Sequence, residues 1–107
     1  PAYMGVGPVP AIRKTLDLAK MTIKDLEMIE LNEAFAAQAI GCFRELGIDN
    51  DFPNQLGSGI SLGHPIGCTG ARMVVTTVHQ MKRKGVGNSL ISMCIGGGMG
   101  IAMILER

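Results

Sequence analysis

Residues Ser89–Leu105 read SLISMCIGGGMGIAMIL. Two apolar runs, SLISMCI and MGIAMIL, flank three consecutive glycines at Gly96–Gly98. Short apolar runs bounded by turn residues predict two strands, both largely buried, joined as a hairpin or lying side by side. Cys94 stands near the end of the first run, directly before the glycine turn. Taken alone it reads as a small buried hydrophobe, because free cysteine is among the most buried residue types. The rest of the chain has to decide whether the thiol does more.

Upstream of this pair, Ala71, Val74, Val75, Val78 and Met81 recur at helical spacing, Lys82–Lys84 suit the negative end of a helix, and Gly85 stops it. LGSGISLGHPIGCTGA is glycine-rich, with a very short strand expected at Ile60–Leu62, and GIDNDFPN is a loop. NEAFAAQAIGCFRELG predicts a helix with Asn32 as N-cap, Phe35, Ala39, Phe43 and Leu46 on its apolar face, and Gly47 at its end. EMIEL predicts a buried strand over Met28–Leu31. Near the start, Pro10 suits a first helical turn, and Ile12, Leu16 and Ala19 continue it. TIKD resembles a capping box that adds one more turn. The order helix, strand, helix, loop, helix, strand, strand predicts an α/β fold with a mixed β-sheet layered with helices.

Composition narrows the function. The chain has 107 residues, 47% of them hydrophobic, and a net charge of +1. That suffices for one core and gives no electrostatic footprint for nucleic acid or an anionic membrane. No apolar run is long enough to span a bilayer, and no signal-peptide pattern opens the chain. Three widely spaced cysteines argue against a disulfide scaffold and point to a reducing, cytoplasmic compartment. The opening PAYMGVGPVP reads like a chain joined midway.

The glycines do not make a nucleotide site. GSGISLG has one residue too many for G-x-G-x-x-G, GGGMG leads into a strand, and no P-loop occurs. No CxxC pair or convergent zinc set is visible, so metal is not expected. His79 sits among basic residues and reads as a surface histidine. Three polar residues remain at junctions between an apolar element and a turn: Asn32, His64 and Cys94. Ends of strands in α/β sheets are where ligand sites form. Each also has a structural reading: Asn32 as a helix cap, His64 as a hydrogen-bonded loop residue, Cys94 as core. Jointly they offer an uncharged donor, an imidazole and a thiol beside open backbone N–H groups. That set suits carbon–carbon bond chemistry next to a thioester carbonyl.

At these residues the chain resembles the C-terminal half of the thiolases. NEAFAAQ (Asn32–Gln38), LGHPIGCTGAR (Leu62–Arg72), CIGGGMG (Cys94–Gly100) and MGVGPVPA (Met4–Ala11) carry the likeness, in family order and over essentially the whole chain. The resemblance implies that Asn32 holds a water which, with His64, forms one oxyanion hole for a thioester carbonyl. It implies that Cys94 is the acid/base of Claisen condensation or thiolysis, and that the backbone N–H of Gly96 helps build a second oxyanion hole. Met4, Ala34 and Phe35 match positions near the pantetheine arm of coenzyme A. NQLGSGISLGHP departs from the usual NxNGGAIALGHP, though Ser58, Gly59 and Ser61 keep the residues small. The nucleophilic cysteine that thiolases carry in an N-terminal half has no match here; neither Cys42 nor Cys68 has its context.

The expectation is therefore one thiolase C-terminal domain over residues 1–107, lacking its first strand, from an acyl-CoA C-acyltransferase. Its partners would be acyl-CoA, CoA, the N-terminal half and further copies in a homo-oligomer, with no cofactor beyond the coenzyme A thioester as substrate. Two alternatives stand beside acetoacetyl-CoA chemistry: a 3-ketoacyl-CoA thiolase of fatty-acid β-oxidation, and a non-catalytic acyl-CoA-binding or assembly domain.

Overall fold

The computed structural model describes residues 3–107. A 3-10 turn, Met4–Val6, leads into helix α1, Pro8–Ala19. Both prolines fall in the first turn of α1, where a missing N–H costs nothing. Lys20 in the left-handed region closes the helix. The Thr22–Asp25 capping box forms as expected and holds a 3-10 turn over Ile23–Asp25. Strand β1, Ile29–Leu31, is short and wholly buried. Helix α2 spans Ala36–Leu46 and ends at Gly47 with φ 68°. Helix α3 is a single turn, Gly59–Leu62, and α4 runs Thr69–Lys84 to Gly85. Strands β2, Asn88–Ile95, and β3, Met99–Glu106, complete a three-stranded sheet in the order β1-β2-β3.

The sheet is mixed. β1 runs parallel to β2, with Ile29 opposite Leu90 and Leu31 opposite Ser92. β2 and β3 form the expected antiparallel hairpin, with Cys94 opposite Gly100 and Ile95 opposite Met99. Gly97 and Gly98 turn it with φ 77° and 73°, a region side chains disfavour. α1 and α2 bury Val9, Ile12, Leu16, Ala39 and Phe43 in one core with Leu31, Leu90 and the half-buried Ala102 and Ile104. α4 lies against β2 and lines a groove with Ile91, Met93, Ile101 and Met103.

Four expectations are corrected. Ile60–Leu62 is helical, not a strand: Ile60 N–H donates to the Glu33 carboxylate at 3.2 Å, and Leu62 N–H donates back to Ser58 O at 2.8 Å. Asn32 does not cap α2, because its N–H continues the strand pairing to Ser92 O at 2.9 Å. The helix starts four residues later, where Gln38 Oε1 accepts from the Ala34 and Phe35 N–H groups. Phe35 consequently lies outside the helix and is 61% exposed. α4 buries Thr69, Met73, Thr77, Gln80 and Met81, while Val75 and Val78 of the expected stripe face outward. β3 is not largely buried: one face meets α1, and Met99, Ile101 and Met103 on the other are exposed.

One close approach fixes α1 against the hairpin. A Cβ at Gly100 would lie 2.1 Å from Gly7 O, and one at Gly7 would lie 2.3 Å from Met99 O. Both clashes are with backbone, which cannot swing aside as a side chain does. Gly100→Ala is expected to destabilise the complete protein by about 1–3 kcal/mol or more. Gly41→Ala, in α2 with no atom within 4 Å, should instead stabilise it, by about 0.5–1 kcal/mol. Denaturant midpoints for the two variants check the opposite signs.

Candidate active site

Asn32 stands at the end of β1, completely buried. The chain positions it by satisfying its strand from the other side. Asn54, itself held at φ 54°, accepts from Leu31 N–H through Oδ1 at 2.8 Å and donates from Nδ2 to Leu31 O at 2.8 Å. Its own N–H reaches Ile29 O at 3.0 Å. A side-chain amide thus takes up the outward hydrogen bonds of β1, where none of the strands among the described residues lies. Asn54 Nδ2 also donates to Glu33 Oε1 at 2.9 Å.

Beneath Asn32 is a buried ion pair. Arg72 of α4 donates to Glu30 of β1 at 2.6 Å, and Glu30 is 1% exposed. Burial pushes the Glu30 carboxyl above its ordinary range, against the opposing pull of the Arg72 hydrogen bond and charge. The second Arg72 nitrogen donates to Ser58 Oγ at 3.2 Å, and Ser58 Oγ donates to Leu31 O at 3.3 Å. Gly59 lets this loop close: a Cβ there would lie 2.5 Å from Glu33 O and 3.0 Å from Asn32 Oδ1.

His64 follows Gly63, whose φ is 90°, and precedes Pro65. Its Nδ1 lies 2.7 Å from Thr69 Oγ1, and both ring nitrogens lie 3.4 Å from Asn32 Nδ2. Cys94 is half-buried at the end of β2. Met4, His64, Ile66, Cys94 and Gly96 line one open cleft of about 360 Å³. A Cβ at Gly96 would meet nothing within 4 Å, so the turn leaves its backbone accessible. The structure therefore brings Met4, His64, Cys94 and Gly96 into one cleft and joins Asn32 to it through His64. Ala34 and Phe35 lie on the segment between Asn32 and α2 and do not line this cleft.

The other thiols are placed differently. Cys42 is fully buried, its Sγ donating to Gly5 O at 3.3 Å, and burial raises its pKa. Cys68 is exposed at the start of α4. Among the described residues no three His, Cys, Asp or Glu side chains converge as a metal centre requires, and no helix is long and apolar enough to cross a membrane. The supporting residues Glu30, Asn54 and Ser58 gave no sequence signal as a group, since their partners lie far apart in the chain; Thr69 lies only five positions from His64, inside the glycine-rich stretch.

The family profile described as "Thiolase, C-terminal domain" matches residues 1–107. An acetyl-CoA acetyltransferase of Chromobacterium violaceum is 52% identical over 107 residues, covering 100% of this chain and 27% of the relative. A 3-oxoadipyl-CoA/3-oxo-5,6-dehydrosuberyl-CoA thiolase of Escherichia coli is 53% identical over 109 residues, with the same coverage. The crystal structure of the Bacillus anthracis acetyl-CoA acetyltransferase superposes with a TM-score of 0.93 at 48% identity, over 96% of this chain and 26% of that one. The chain spans 27% of the length of the curated relatives it matches. By profile, sequence and fold, this chain belongs to the thiolase C-terminal domain family.

Proposed function

We propose that the chain supplies one catalytic half of an acyl-CoA C-acyltransferase that condenses two acetyl-CoA to acetoacetyl-CoA or runs the reverse thiolysis. The observation that carries this reading is the shared cleft of Cys94, His64, Gly96 and Met4, with Asn32 behind His64. An acyl group is carried by a cysteine of the N-terminal half. In condensation the Cys94 thiolate takes a proton from the methyl group of a second acetyl-CoA, whose carbonyl oxygen gains charge beside His64 and the water on Asn32. The resulting carbanion attacks the acyl carbonyl, a carbon–carbon bond forms, and the carrier thiolate leaves. The Gly96 N–H steadies the oxyanion of that step. Thiolysis reverses each transfer, with Cys94 returning the proton to carbon. Met4, Ala34 and Phe35 flank the pantetheine arm.

The reaction needs no cofactor, because the thioester carbonyl itself acidifies the α-carbon. Acetyl donors are the first choice of substrate, in line with the names of the relatives from C. violaceum and B. anthracis. The E. coli relative, named for a longer oxoacyl-CoA, favours the degradative alternative. Thiolysis of acetoacetyl-CoA and of a medium-chain 3-ketoacyl-CoA by the complete protein tests the two. Faster cleavage of the four-carbon substrate is expected. CoA binding without any CoA-dependent cleavage would replace the enzyme reading with an acyl-CoA-binding domain.

The 107 residues alone are expected to be inactive, since no acyl-enzyme forms without a nucleophile. Acetoacetyl-CoA loss above a protein-free blank, measured with free CoA, would overturn this.

A further inference from the structure

Thr69 holds one hydroxyl proton and lies within reach of two acceptors. Its Oγ1 is 2.7 Å from His64 Nδ1 and 3.0 Å from Pro65 O. Pro65 O already accepts two backbone N–H groups, from Cys68 at 2.7 Å and from Thr69 itself at 2.8 Å. A carbonyl oxygen has two lone pairs, so both are taken. The imidazole nitrogen is nearer and has a vacant pair whenever its proton sits on the other nitrogen. Thr69 is completely buried, so water does not compete for the hydroxyl.

We propose that Thr69 is a positioning residue: its hydroxyl donates to Nδ1 of His64 and fixes the neutral imidazole with its proton on Nε2. This rests on the reading of His64 as a donor to a thioester oxygen. With Nδ1 engaged as the acceptor of the Thr69 hydroxyl, the neutral ring donates from Nε2. Asn32 Nδ2 lies 3.4 Å from both ring nitrogens, so at 2.7 Å the Thr69 hydroxyl is the nearer donor to Nδ1. The first turn of α4 thereby sets which nitrogen of a loop histidine is armed. Thr69 is itself anchored, because the helix begins at that residue and its N–H is bonded to Pro65 O.

The test is the nitrogen spectrum of the complete protein labelled with ¹⁵N-histidine, with His64 assigned from a His64→Gln variant. The expected resting signal is an unprotonated Nδ1 and a protonated Nε2. Thr69→Ser keeps the hydroxyl and should keep that signal. Thr69→Val is nearly the same shape without the hydroxyl; it should mix the tautomers and lower kcat about ten- to a hundredfold, less than the outright loss of an oxyanion donor. KM should change less than kcat. A proton on Nδ1 in the unaltered protein, or an unchanged tautomer in Thr69→Val, overturns the proposal. The spectrum is read on the resting protein, so it stands or falls independently of turnover.

Discussion

Cys94→Ser in the complete enzyme is expected to lose about 10²–10⁴-fold in kcat, the usual contribution of one positioned proton transfer. The reason is proton affinity, not shape. An ordinary thiol titrates near pH 8.5 and can be brought toward neutrality by its neighbours. A serine hydroxyl has no such reach. Its Oγ would occupy nearly the same half-buried place at the end of β2, but would neither take nor return the proton. Acyl transfer onto the carrier cysteine uses another nucleophile, so a burst of acylation should survive. Cys68→Ser, at an exposed thiol, should cost little. Cys42→Ser exchanges a buried sulfur for a smaller, more polar oxygen and should show as a modest loss of stability only. Steady-state thiolysis with an acylation burst for each variant checks the set. Full turnover by Cys94→Ser, or collapse of Cys68→Ser at normal folding, would end the assignment.

Breaking the Glu30–Arg72 pair should be the largest single loss of stability. Arg72→Met is expected to cost about 3–5 kcal/mol, because it strands a carboxylate in the interior. The pH dependence has a definite sign. Burial raises the folded-state pKa of Glu30, and Arg72 opposes the rise. Without Arg72 the folded value moves further above the unfolded one, whose ordinary value is 4.5. The folded state then holds the proton that the unfolded state has released. Stability is therefore retained below the unfolded pKa and lost as pH rises through the folded one. Denaturant unfolding of Arg72→Met should show a deficit that is large at neutral pH and shrinks on acidification. The double variant Glu30→Leu/Arg72→Met should recover much of the loss, since a well-packed apolar pair can replace a buried ion pair. A deficit independent of pH would mean that packing, not the carboxylate, is what Arg72 supports.

The fold was legible wherever burial and period coincide. The apolar runs around Gly96–Gly98 gave the hairpin, and Ile12 and Leu16 gave the buried stripe of α1. Reading failed where a remote side chain overrode local preference. Ile60–Leu62 has a strand-like run, yet the Glu33 carboxylate at its first N–H makes it a helical turn. Asn32 has the residue type of a helix cap, yet Ser92 O takes its N–H into the sheet. On α4 the outward valines suggested the core face, while the inward face carries Thr69, Thr77 and Gln80. Cys94 and His64 were visible because each follows or precedes a recognisable glycine turn. The groups that hold Asn32 were not: Arg72 lies 42 positions from Glu30, and Asn54 lies 23 from Leu31. No local pattern encodes such distances.

The amide of Asn54 has a consequence for how the sheet can grow. Leu31 N–H, Leu31 O and Ile29 O on the outer side of β1 are all occupied by this one residue. An incoming strand finds no template there, and that border is sealed against edge-to-edge association. The opposite border, along β3, carries a lighter cover, the Thr15 hydroxyl donating to Ala102 O at 3.4 Å. Enlargement of the layer, whether by more of the same polypeptide or by a neighbour, is therefore expected outward from β3, the less occupied of the two borders.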